Sequence, residues 1–111
     1  MNPILAESTA AVKTDSLLTP YWAEVVEIAP ETEDITTIWL RFVDQALNVR
    51  YSFAAGQFNM LYLPGYGEAA ISISSDPQRP ELIGHTIRFV GNVTRAVSRL
   101  NIGDTVGVRT P

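Results

Sequence analysis

Side chains able to do chemistry are scarce in this chain of 111 residues. It has no cysteine and one histidine, His85, which excludes disulfides, thiolate catalysis, zinc fingers and iron-sulfur ligation by this chain. One imidazole cannot build a metal site by itself. His85 opens a β-branched run, so it reads as a strand-start residue without a catalytic role. The best binding pattern is Gly91-Asn92-Val93-Thr94, which opens the one segment after the N-terminal lead-in with clear helical spacing. Unpaired amides and the positive end of a helix dipole favour an anion there. Glycine lets a ligand approach the backbone, and a threonine hydroxyl adds one more hydrogen bond. Arg88 lies just upstream. The same four residues also describe an ordinary helix cap with Asn92 as N-cap, so an anion site and a simple cap both stand as readings.

Other patterns carry less. Gly65-Tyr66-Gly67-Glu68-Ala69-Ala70 spells the dinucleotide fingerprint G-x-G-x-x-A. That fingerprint requires a helix to start at its last small residue, whereas Ile71-Ser72-Ile73-Ser74-Ser75 alternates like a strand. The glycines are therefore read as a turn between two strands. Asn92-Val93-Thr94 matches a glycosylation acceptor by spelling only, since residues 1–12 lack the basic and apolar regions of a signal peptide. Ser72 and Ser74 share one strand face, and Ile71 and Ile73 the other. Arg95 and Arg99 fall on the polar face of the predicted helix, as a solvated surface or a docking surface.

The elements that must position these residues are short strands. Residues 21–28, 36–43, 57–63, 69–75, 85–90 and 105–109 show two-residue alternation or β-branched enrichment, each closed by turn chemistry. In the first, Trp22, Val26 and Ile28 share a face; in the second, Ile38, Leu40 and Phe42 oppose Thr37, Trp39 and Arg41. Residues 44–55 read as a polar or mixed connection. In residues 92–101, Val93, Ala96, Val97 and Leu100 fall at i, i+3, i+4 and i+7, which predicts a helix. The pattern implies an all-β domain over residues 20–111: a six-stranded antiparallel Greek-key barrel with one short helix. Residues 1–19 are small and polar and read as a flexible lead-in.

Composition narrows the function. With 46% apolar and 18% charged residues the chain can bury a core. A net charge of −4 disfavours an unspecific grip on nucleic acid or an anionic membrane. No stretch approaches the roughly 20 apolar residues of a membrane span, and a cytoplasmic protein is expected. The charge is uneven: residues 1–49 hold eight acidic side chains against Lys13 and Arg41, a net −6, whereas residues 50–111 hold six arginines against four acidic side chains, a net +2. An anionic ligand belongs with the second half.

Taken in order, Gly56-Gln57-Phe58, then residues 69–75, then residues 85–94, then Gly103-Asp104 and Gly107-Val108-Arg109 resemble the flavin-binding barrel of the ferredoxin-NADP reductase superfamily. Within it they look like electron-transfer subunits such as the gamma subunit of soluble hydrogenases, the electron-transfer subunit of anaerobic sulfite reductase and that of dihydroorotate dehydrogenase. The family's Arg-x-Tyr-Ser motif falls on residues 69–72. Ser72 matches and is implied near the flavin ring or ribityl chain, while Ala69 and Ile71 replace the arginine and the aromatic, leaving Ile71 as an apolar flavin contact. Thr86, Ile87 and Arg88 are implied along the ribityl and pyrophosphate, and Gly91, Val93 and Thr94 carry the family's Gly-x-x-Ser/Thr anion motif.

The resemblance implies FAD as cofactor, no catalytic acid, base or nucleophile, and no metal. In these proteins a nucleotide-binding domain follows the barrel, and Pro111 falls where that linker would begin. NAD(P)H would thus be used only with a further domain or a partner chain. The implied function is to hold the flavin that relays electrons between a pyridine nucleotide and an iron-sulfur, hydrogenase or sulfite reductase type subunit. A cofactor-free barrel serving as a docking or assembly module is the alternative.

Overall fold

The structure is a computed structural model that describes residues 20–109; the lead-in expected over residues 1–19 lies outside them. Six strands, β1 (Tyr21–Pro30), β2 (Ile35–Phe42), β3 (Phe58–Leu63), β4 (Gly67–Ser72), β5 (Ile83–Arg88) and β6 (Thr105–Arg109), form one sheet in the order β4-β3-β6-β1-β2-β5. Every neighbouring pair is antiparallel. The two ends of that order meet where Ile73 bridges His85 and the Ser74 N–H donates to the Gly84 carbonyl at 2.8 Å. The sheet thereby curls into the expected Greek-key barrel. Helix α1 (Gln45–Arg50) lies on the β2 to β3 connection, and helix α2 (Asn92–Ala96), continued by a 3-10 turn Val97–Arg99, on the β5 to β6 connection.

Period-two patterning builds the interior. Ile38, Leu40 and Phe42 of β2, Leu61 and Leu63 of β3, Ile83 and Ile87 of β5, and Val106 and Val108 of β6 are all buried. Each fully buried aliphatic side chain contributes about 1.5–3 kcal/mol relative to exposure. The Gly-Tyr-Gly segment is the turn expected of it: Gly65 and Gly67 have φ of +88° and +122°, a region open to glycine.

Several boundaries differ from the sequence pattern. In β1, Ala23 and Val25 enter the core instead of Trp22, because the register with β2 shifts between Val25 and Glu27 and Trp22 lies outside against Tyr62, ring centroids 6.1 Å apart. Strand β4 begins at Gly67 because the turn is tight, with the Tyr66 N–H donating to the Leu63 carbonyl at 2.9 Å. Strand β5 starts two residues before His85. Helix α1 replaces part of the expected connection. Asp44 caps it by accepting from the Ala46 N–H at 3.0 Å, and Asn48 pins it to the β2 end through both backbone groups of Phe42.

The helix expected over residues 92–101 is shorter. Ser98 Oγ donates to the Arg95 carbonyl at 2.7 Å, and the Asn101 N–H is captured by Asp104 Oδ2 at 2.8 Å, so the turn into β6 follows at once. Its N-cap is Gly91 rather than Asn92. No helix among the described residues is long and apolar enough to cross a membrane.

The outer face of β6 is packed as closely as the core. A Cβ added to Gly107 would lie 2.7 Å from Pro20 Cβ and 3.1 Å from Tyr62 Cβ. Gly107→Ala is expected to destabilise the protein by about 1–3 kcal/mol in urea denaturation. A loss below about 0.5 kcal/mol would show that this contact yields freely.

Candidate functional site

The barrel is not closed evenly. Strand β4 pairs with β3 from Phe58↔Ser72 to Leu63↔Gly67, and β5 with β2 from Ile35↔Arg88 to Leu40↔Ile83, but β4 and β5 are joined through the bridge Ile73↔His85. The Ile73 N–H donates to Gln57 at 2.8 Å on the β3 side, so by alternation Ser72 and Ser74 turn their backbone groups toward β5. Ser74 finds Gly84, as above. The Ser72 carbonyl accepts from the Nδ1–H of His85 at 3.1 Å. Upstream of Ser72, the β4 edge facing β5 has no ladder partner among the described residues. Such an edge presents N–H and C=O groups that require one. Helix α2 packs against β4 and β5 at the far end of this seam, with Val93 Cγ2 3.4 Å from where a Cβ on Gly67 would lie.

His85 holds the seam from inside. It is the third residue of β5 and is fully buried, as is Asn59. A carbonyl can only accept, so Nδ1 carries the proton and Nε2 faces the Asn59 amide nitrogen at 3.5 Å. That amide also donates to the Tyr51 hydroxyl at 3.4 Å, while Asn59 Oδ1 has no partner among the described residues. Burial pushes the imidazole down to about 4, against its hydrogen bond to the Ser72 carbonyl, which favours the charged form. His85 is therefore neutral at physiological pH. It is a core prop with no access to a reacting group, and its period-two position between Ile83 and Ile87 was the available signal.

The residues singled out from sequence divide into three sets. Ser72, Thr86 and Arg88 are exposed on the outer side of the seam. Arg88 Nε lies 3.7 Å from Asp34 Oδ2, a loose and solvent-exposed pair. Gly91, Val93 and Thr94 sit together at the start of α2. There Thr94 Oγ1 accepts from the N–H groups of Val90 and Gly91, both at 2.9 Å, and donates to the Gly91 carbonyl at 3.2 Å. The threonine acts as a cap in this state. Ile87 is 1% exposed, so its side chain belongs to the core and β5 offers a ligand only its main chain there. Ile71 is half-buried against the same core. One motif residue was given no binding role from sequence: Phe58, directly opposite Ser72 and 42% exposed, places an aromatic ring beside the seam.

A flavin dinucleotide asks for backbone donors and acceptors along its ring edge and hydroxyls along its polyol. It also asks for an uncovered backbone at its pyrophosphate. The seam offers the free β4 edge, the serine and threonine hydroxyls, and Gly91, whose absent Cβ would meet nothing within 4 Å. These residues fit the group. A groove of about 640 Å³ lies between Pro20, Trp22, Tyr62, Gly67, Glu68 and Arg109. Its one cation is already engaged, since Arg109 Nε and Nη2 bind Glu68 at 2.8 and 2.7 Å and hold that carboxyl below its ordinary range.

No protein-family model matches the chain. It is similar to the sulfhydrogenase 1 subunit gamma of Pyrococcus furiosus, 42% identical over 79% of this chain and 30% of that protein. It is also similar to a probable dihydroorotate dehydrogenase B (NAD(+)), electron transfer subunit, of Thermoplasma volcanium, 28% identical over 79% of this chain and 31% of that protein. The chain thus spans 30–31% of the length of these relatives. In fold it is similar to a ferredoxin NADP+ reductase from Neisseria gonorrhoeae with bound FAD and NADP, with a TM-score of 0.65 and 19% identity over 79% of this chain and 35% of that one.

The buried imidazole has a consequence for acid stability. Its folded value of about 4 lies below the ordinary 6.5, so between the two the unfolded chain binds a proton that the folded chain does not. The contribution is complete above pH 6.5, falls as pH drops, and levels off near pH 4. The change is about 3 kcal/mol at 1.36 kcal/mol per unit. Urea denaturation between pH 7 and 4 is expected to show this loss in the wild type and to lack it in His85→Asn. Equal acid sensitivity in both would contradict a buried neutral imidazole.

Proposed function

We propose that this chain, a member of the ferredoxin-NADP reductase superfamily by its fold and its relatives, is the FAD-binding barrel of an NAD(P)H-linked electron-transfer oxidoreductase. The observation that carries the proposal is the open seam, where an unpaired strand edge, exposed hydroxyls and the bare Gly91 backbone meet. Ser72 and Thr86 face the ring and ribityl chain; Arg88 and the residues 91–94 face the pyrophosphate; Ile71 supplies an apolar contact. FAD held there would supply the two-electron redox chemistry. The chain binds and orients it and contributes no acid, base or nucleophile.

Hydride transfer needs the nicotinamide and flavin rings in van der Waals reach. The barrel provides one of those two seats, and the pyridine nucleotide is brought by a further domain or a partner chain. The relatives' names, a sulfhydrogenase subunit gamma and an electron transfer subunit, support a place beside a partner subunit of an oxidoreductase complex; we take that partner to be of hydrogenase, sulfite reductase or other iron-sulfur type, in the cytoplasm. One observation favours a second reading, a cofactor-free docking or assembly module: Thr94 already uses its hydroxyl on its own helix cap.

Flavin fluorescence separates the two. FAD titrated into the chain is expected to saturate at or below roughly tens of micromolar. Gly91 has φ −146° and ψ −177°, extended backbone that any residue adopts, so Gly91→Val should leave stability within about 0.5 kcal/mol. The same substitution should weaken FAD at least about ten-fold. Failure of the intact wild type to bind would favour the docking module. Unchanged affinity in Gly91→Val would move the pyrophosphate elsewhere.

A further inference from the structure

A chain of three hydrogen bonds crosses the seam from a carboxylate to Ser74. Thr37 Oγ1 donates to Glu31 Oε2 at 3.0 Å, Thr37 Oγ1 and Thr86 Oγ1 lie 2.8 Å apart, and Thr86 Oγ1 and Ser74 Oγ lie 3.0 Å apart. The register builds it in, because Thr37 stands directly opposite Thr86 in the β2–β5 ladder. Thr37 is 6% exposed, so its hydroxyl is held by these protein partners.

Each hydroxyl has one proton, and an ionised carboxylate can only accept. Thr37 therefore gives its proton to Glu31, which leaves Thr86 as the donor to Thr37. With its own proton committed, Thr86 can only accept from Ser74. At the outer end Ser74 has no proton left to offer and presents lone pairs alone. Its position is fixed as well, through its N–H bond to Gly84.

We infer that Ser74 is a cofactor-binding residue that accepts a hydrogen bond from a hydroxyl of the FAD ribityl chain, with Glu31, Thr37 and Thr86 as the positioning residues that set its polarity. The inference rests on the flavin reading above. It complements the β4 edge, which offers N–H groups to ligand acceptors, with a dedicated acceptor for a ligand donor. Ser74 and Thr86 are both exposed, so a polyol laid along the outer side of the seam reaches them together.

A double-mutant cycle on FAD affinity of the whole chain tests this. Ser74→Ala is expected to weaken FAD about three- to ten-fold, the worth of one hydrogen bond, and Thr37→Val about two- to three-fold by freeing the chain's direction. Thr37→Ser, which keeps the hydroxyl, should bind as the wild type does. In the Ser74→Ala background, Thr37→Val should cause no further loss. A wild type that binds FAD while Ser74→Ala binds equally well, or additive losses in the double variant, would overturn the inference and leave the flavin reading standing. A wild type that does not bind FAD would overturn both.

Discussion

Between β4 and β5 the ladder runs for a single bridge, Ile73 to His85, while β4 is held to β3 by six consecutive pairs. The side chain of His85 braces that bridge from inside. Its Nδ1–H donates to the Ser72 carbonyl at 3.1 Å, an oxygen whose second lone pair stays open to a backbone donor of β5. Toward α2, no ladder joins β4 to β5 among the described residues. A barrel closed along its full length would have no free edge to offer. This one keeps an edge, at the place where the serine and threonine hydroxyls and the uncovered Gly91 also lie.

Electrostatics at the seam differ from what the charge distribution alone implies. The second half of the chain carries six of the seven arginines, yet Arg109 is bound to Glu68, Arg88 stands near Asp34, and Arg99 lies over the ring of Tyr66 at 5.7 Å. In the proposed site, a phosphate would be met by backbone N–H groups at the start of α2, which can face a phosphate diester without a dedicated counter-charge.

Much of the fold was legible because period two is a strong signal where a strand has one wet and one dry face. Strand β2 reads Ile38, Leu40, Phe42 inward as written, β6 keeps its predicted bounds, and the Gly-Tyr-Gly turn follows from the strand after it. The register shift near Val26 was not legible, since a bulge changes phase without changing composition. Helix α1 was missed although Asp44 before Gln-Ala-Leu is a capping signal. At the site, alternation already implied that Thr86 and Arg88 cannot share a face with Ile87. The resemblance took all three residues together, and the structure separates them. The internal role of His85 was hidden because burial of a polar side chain depends on Asn59 and Ser72, which are distant in sequence.

On the reading proposed above, FAD lies along the partly open β4–β5 seam. Amide hydrogen exchange, with and without saturating FAD, tests it most directly, since it reads each backbone group of the seam separately. New protection is expected at Ala70 and Ser72 on the β4 edge and at Asn92 and Val93 at the start of α2, with β1 and β6 unchanged. Protection confined to the Trp22 and Tyr62 side of the barrel, or none at all, would contradict it.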